Sequence, residues 1–244
     1  MSRLLVQFVI VAGVFAVVIL GSMPAVMEAR RDAEINDYPN KLNLEDMNAQ
    51  RRWQMVQTQP AEIDNYIAAA DEMASVYLRQ QKFNEAVDIY QKEMGATWGL
   101  KANAYNELWV NADIKAGGVH RDLCAFDTAL ICYNSALDHD RKYLPAGDAR
   151  IARDLNNIGL MHYMIGLSKS DDKDRKPEFE KAVDFYKQAL KIASAAEGKK
   201  TLQAASLWNL YLACRDSGDK AAANDYKKQA QAIDTTMHRI CKAP

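Results

Sequence analysis

The side chains that could do chemistry unaided are scattered along this chain. His120, His139, His162 and His238 lie far apart, and no His-x3-His or paired-cysteine spacing offers a metal its ligands. His162 falls on a packing position, which makes it a core histidine rather than a base. The aspartates Asp171, Asp172 and Asp174 lack the glycine and the closing glutamate of a calcium loop, and read as a solvated turn. No glycine-rich phosphate loop and no Gly-x-Ser-x-Gly is present. Of the four cysteines, Cys124 and Cys132 would stand about 12 Å apart on one helix, too far to bridge. A link between Cys214 and Cys241 stays open beside the simpler reading of free thiols packed as small hydrophobes. These residues nominate no catalyst, metal or cofactor, so whatever the chain does must come from surfaces that its elements build.

Those elements announce themselves through a pattern met four times: alanine, three residues, tyrosine, at Ala86/Tyr90, Ala129/Tyr133, Ala182/Tyr186 and Ala222/Tyr226. In the middle two copies another alanine follows, Ala136 and Ala189. Offsets of four and seven share one face of a helix, so each copy is a stripe where a small residue admits close approach and a ring fills the space beside it. The alanines recur at intervals of 43, 53 and 40 residues, at or just above the period of a repeated helical hairpin.

Each stripe has a preceding helix. Ala70, Met73, Ala74 and Tyr77 mark the first, with a turn expected at Lys82 to Asn84. Tyr105, Leu108, Trp109 and Ala112 mark the second, which Gly117-Gly118 is expected to break, with Leu123 to Leu137 supplying its partner. The third runs from about Ala149 to Leu167, is followed by an exposed loop from Ser168 to Pro177, and pairs with Phe179 to Ala193. That loop would account for the long interval. The fourth carries Leu207, Leu210, Tyr211 and Cys214, turns at Gly218, and continues through Ile233, Met237 and Ile240 to cover the end of the stack.

The N-terminus is different. From Leu4 to Met27 the sequence holds no charge, flanked by Arg3 on one side and Glu28, Arg30 and Arg31 on the other. That length can span a bilayer. A cleaved signal peptide is the rival reading; the long apolar core and the lack of an Ala-x-Ala site favour a retained anchor. Arginine nearly balances across the two flanks, with a lean towards an extracytoplasmic body. The organisation expected is therefore an anchor or signal at 1–29, a polar stalk at 30–62 with one helix around Leu44 to Gln57, about four hairpins over 63–233, and a cap or tail at 234–244. With 31 basic and 32 acidic residues there is no electrostatic footprint for nucleic acid.

The order of residues within the hairpins resembles the tetratricopeptide repeat. The copy Leu155-Asn156-Asn157-Ile158-Gly159 resembles in particular the kinesin-light-chain-like bacterial repeats. Repeats two and four depart from the pattern, with Trp109 and Tyr211 where glycine or alanine is usual. The resemblance implies an all-α right-handed solenoid of hairpins whose first helices line a concave groove that holds a peptide or a partner protein. Carried over position by position, the groove residues are Asp71, Asn106, Asn156, Asn157, Trp208 and Asn209, with Tyr163 and Arg215 further along. Asn157 and Asn209 match positions that hydrogen-bond a peptide backbone, a task that suits an amide because it both donates and accepts. Capping or solvation is the alternative role for such asparagines. With Asp71 and Ser75 on the first repeat, the clamp that grips chaperone tails is not expected. The functional expectation is a non-catalytic module tethered to a membrane by residues 4–27 that binds a protein or peptide, with self-association as a structural alternative and a secreted repeat protein as another.

Overall fold

The computed structural model describes residues 44–58, 62–98, 100, 105–196 and 198–233. Every regular element among them is an α-helix, as expected. In chain order they are α1 (residues 44–58), α2 (Ile63–Arg79), α3 (Phe83–Thr97), α4 (Glu107–Asp122), α5 (Phe126–Tyr143), α6 (Ala149–Ser168), α7 (Asp172–Ala195), α8 (Lys200–Ser217) and α9 (Lys220–Ile233). The apolar segment 4–27 and the tail 234–244, with Met237, Ile240 and Cys241, lie outside the described residues. Among those described, no helix is long and apolar enough to cross a membrane.

The chain divides between Lys82 and Phe83 into two compact units. In the first, α1 and α2 are antiparallel. Trp53 packs on Tyr66 with ring centroids 5.2 Å apart, while Arg79 and Gln80 reach back to Asp46, each at 2.8 Å. α2 buries Ala69, Ala70, Met73, Ala74 and Val76. It closes on Gln81, whose φ of 57° is left-handed, a conformation that turns the chain within a few residues.

In the second unit each helix from α3 to α9 packs on its neighbours in sequence, and α6 also meets α8. The alanine–tyrosine stripes make the seams. Ala86, Ala129, Ala136, Ala182 and Ala189 are wholly buried and Tyr90, Tyr133 and Tyr186 nearly so. Burying such a ring removes roughly 150 Å² or more from water, on the order of 4 kcal/mol before the cost of ordering it. In α9 the stripe residues Ala222 and Tyr226 are half-buried, and only Ala223 and Ala230 are buried, because no described helix follows to cover that side.

Two expectations are corrected. α4 runs unbroken through Gly117-Gly118 to Asp122. Gly117 does not end the helix; it lets α5 approach, since a Cβ there would lie 3.0 Å from the Tyr133 ring and 3.1 Å from the Cys132 Cβ. Gly159 does the same for Tyr186 at 2.7 Å, so the small residue expected in place of Trp109 stands two turns later, at Gly117. The chain turns instead at Leu123 to Ala125, with Cys124 at φ 58°.

Likewise the expected loop from Ser168 to Pro177 shrinks to Lys169–Asp171. Asp171 caps α7 by accepting from the Lys173 amide at 2.9 Å, and Asp172 and Asp174 occupy the first turn. Negative charge there is favoured by the exposed amides and dipole of the helix N-terminus, which outweighs repulsion between exposed aspartates. Pro177 sits inside the helix near its start at the loss of one hydrogen bond. The long interval reflects long helices, 20 residues in α6 and 24 in α7.

Candidate functional site

α6 and α8 carry the same local pattern, Leu155-x-Asn157-Ile158 and Leu207-x-Asn209-Leu210. Because the aliphatic residues at both ends are buried, the helical period leaves each asparagine half-exposed at an equivalent place on adjacent helices. Neither asparagine has a side-chain hydrogen bond among the described residues. Asn156, one residue earlier, is turned inward and donates to the Ser206 hydroxyl of α8 at 2.8 Å. Its amide oxygen is buried without a partner.

Two turns along, Tyr163 of α6 donates to Asp216 of α8 at 2.5 Å, and Arg215 grips both oxygens of Asp216 at 2.6 and 2.9 Å. Burial works to raise the Asp216 carboxyl, but the hydrogen bonds from Arg215 and Tyr163 prevail and hold it below the usual carboxylate range. Burial, followed by the bond to Asp216 and its charge, pushes the Tyr163 phenol up, so it stays a donor. Arg215 and Asp216 border a cavity of about 600 Å³ with Arg175, Lys176 and Phe179 of α7. Trp208, half-exposed, packs on Tyr211 with centroids 4.9 Å apart, and Arg215 and Lys227 both stand over the Tyr211 ring. The surface thus alternates amides, an aromatic pair and a fixed ion pair, all on α6 and α8.

The structure thus gathers Asn157, Tyr163, Trp208, Asn209 and Arg215 on two adjacent helices, whereas Asn156 is corrected from a groove contact to a buried link between them, 9% exposed and bonded inward to Ser206. Asn106 is corrected: only 6% exposed, it caps α4 by accepting from the Trp109 amide and gives its own amide to the Thr97 carbonyl at 2.7 Å. Buried, with its oxygen on the Trp109 amide and its own amide on Thr97, it has the capping role of helix asparagines rather than a place in a groove. Asp71 lies in the first unit, half-buried, its carbonyl accepting from Ser75. Asp216 and Ser206 were not anticipated; the one signal for Asp216 was its place beside Arg215. His162 is half-buried as a packing residue, stacked on Phe185 and joined to Glu178 at 2.8 Å. Among the described residues no group of three His, Cys, Asp or Glu is placed to hold a metal. Cys124, Cys132 and Cys214 are free thiols.

The fold is that of an all-α helical repeat protein of the tetratricopeptide type. Two crystal structures titled for kinesin light chain nearly identical TPR-like repeats of Podosopora anserina superpose with TM-scores of 0.58 and 0.57. Both are 14% identical to this chain and match 87% of it and 94% of their own length. A structure titled MamA protein is also similar, at a TM-score of 0.46 and 14% identity, covering 83% of this chain and 97% of that one. No protein-family model matches the sequence, and no curated protein does.

Proposed function

We propose that this protein is a non-catalytic scaffold that binds an extended peptide segment of a partner protein along α6 and α8, held at a membrane by residues 4–27 with the repeats on the extracytoplasmic side. The observation that carries this reading is the pair of amides, Asn157 and Asn209, that no side-chain hydrogen bond among the described residues engages, at matching places on neighbouring helices. Amides spaced by one helix-to-helix step suit a repeating backbone, and the half-exposed Trp208 beside them offers a side chain of the peptide an apolar platform. The tether rests on the uncharged stretch from Leu4 to Met27.

The test is capture of partners from the protein's own membranes, followed by affinity measurement with the full chain in detergent micelles. Loss of two peptide hydrogen bonds, at about 1 kcal/mol each, should make Asn157→Ala plus Asn209→Ala roughly 30-fold weaker for the captured partner. Unchanged affinity in the double variant would overturn the groove assignment.

A further inference from the structure

We propose that the joint between α5 and α6 is a proton-operated hinge, in which Asp140 and Asp154, two buried carboxyls facing one guanidinium, hold a single proton whose release loosens the packing of these helices. Both residues are fully buried. Arg153, one-third exposed, donates to Asp154 at 2.9 Å and to Asp140 at 3.4 Å, and its far nitrogen reaches Asn111 of α4 at 3.5 Å. Each carboxyl keeps one buried oxygen, Asp140 Oδ1 and Asp154 Oδ2, without a partner among the described residues.

With both carboxyls ionised this centre carries one negative charge more than its guanidinium can neutralise. Among the described residues, the neighbouring cations and rings are committed elsewhere or uncharged. On α6, Arg150 is committed to Asp148 at 2.9 Å, to Glu107 of α4 at 3.8 Å and to the face of Tyr105, 4.6 Å from the ring centroid. On α5, burial holds the His139 imidazole below its ordinary range, against the charge of Asp140, and the ring packs against Tyr105, Trp109 and Tyr143. The Tyr105 phenol is pushed up by burial and by the charge of Asp140, and is neutral. Isolated charge in such a place is costly, and the cheapest remedy is to keep a proton. Burial, against the pull of Arg153 and aided by the charge of Asp140, pushes the Asp154 carboxyl up to about 7.

The sign follows. The folded chain holds a proton near neutrality that the unfolded chain releases near pH 4, so the cluster's stabilisation is complete in acid and is lost as pH rises through about 7. The two helices belong to successive hairpins, so the change acts on the angle between repeats rather than on the seam within one.

The measurement is urea unfolding of the full chain in micelles from pH 5 to 8. In the wild-type chain this proton should make the unfolding constant rise between about pH 5 and 7, against the opposite slope that His120 and His139, held low by burial, contribute below about 6.5, so its effect is read as the difference from the variant. Asp154→Asn, which mimics the protonated state, should remove about one proton from that slope. A slope equal to wild type in Asp154→Asn would overturn the proposal. Should that variant not fold, ¹³C titration of aspartate carboxyls in the wild-type chain decides: one must titrate above pH 6, and none doing so overturns it. Hydrogen exchange around residues 137–155, corrected for its intrinsic pH dependence, should be faster at pH 8 than at pH 6, and equal protection would count against a hinge.

Discussion

One methyl group added at Gly159 should destabilise this protein, although alanine is the better helix former by about 1 kcal/mol. The reason is Tyr186. A Cβ at position 159 would stand 2.7 and 2.8 Å from two ring carbons, where carbon contacts normally settle at about 3.5–4.0 Å. The ring is 1% exposed and packed with Ala182, Leu210 and Ala213, so it has no free space into which to swing. Relief requires α6 and α7 to part by something near 1 Å, an overpacking that costs about 1–3 kcal/mol and here falls at the upper end. Set against the gain in propensity, the net loss for Gly159→Ala is about 2 kcal/mol, or roughly 4–8 °C in Tm for a helical body of this size. Gly95 in α3 provides the control, because a Cβ there meets nothing within 4 Å. Gly95→Ala should stabilise by about 0.5–1 kcal/mol. Urea melts followed by circular dichroism on the full chain in micelles measure both. In the double variant Gly159→Ala, Tyr186→Leu, the two changes should be less harmful together than their sum, by about 1 kcal/mol or more. Equal stabilisation by the two alanines, or strict additivity in the double variant, would refute the account of how this seam is packed.

Two more outcomes follow from the same coordinates. Asp148 caps α6 and is held down to about 2, chiefly by its hydrogen bonds from Arg150, so its contribution is present above pH 4 and is lost as pH falls towards 2; Asp148→Ala should cost about 1 kcal/mol at pH 7 and less at pH 2.5, read by the same melts. Among the described cysteines, a maleimide at pH 7.5 should label exposed Cys124 first, while Cys132, pushed up to about 12 by burial and Asp113, and buried Cys214 react only after unfolding; mass spectrometry of the digested chain checks the order.

The alanine–tyrosine stripes were legible before any coordinates, since a period near 3.6 records which side of a helix must be dry, and the buried face of α3, α5 and α7 is the one the stripes mark. Asn157 and Asn209 came from the resemblance to the tetratricopeptide repeat, and the helical period leaves both half-exposed between buried aliphatic residues. The errors share a cause as well. Gly117-Gly118 and the run from Asp171 to Pro177 carry local signals for breaks, yet in the first the demand of the Tyr133 ring for space exceeds the weak helix preference of glycine, and in the second the helix terminus welcomes the very charges that argued against it. Asn106 shows the converse: its type and its place after Tyr105 suit a groove contact, yet it is a local cap, because the packing glycine of this helix is Gly117, two turns further on.

Taken alone, then, the sequence determined that the body is a succession of amphipathic helical pairs and which alanines and tyrosines seal them, because those choices depend on spacing within a single helix. Only the tertiary structure decided which glycines are contact points, that Tyr163 meets Asp216 across 53 positions of chain, and that Asp140 and Asp154 share one guanidinium. Such pairings depend on the angle and offset at which one helix crosses the next. Those are set by the summed packing of many side chains and leave no regular interval in the sequence to read.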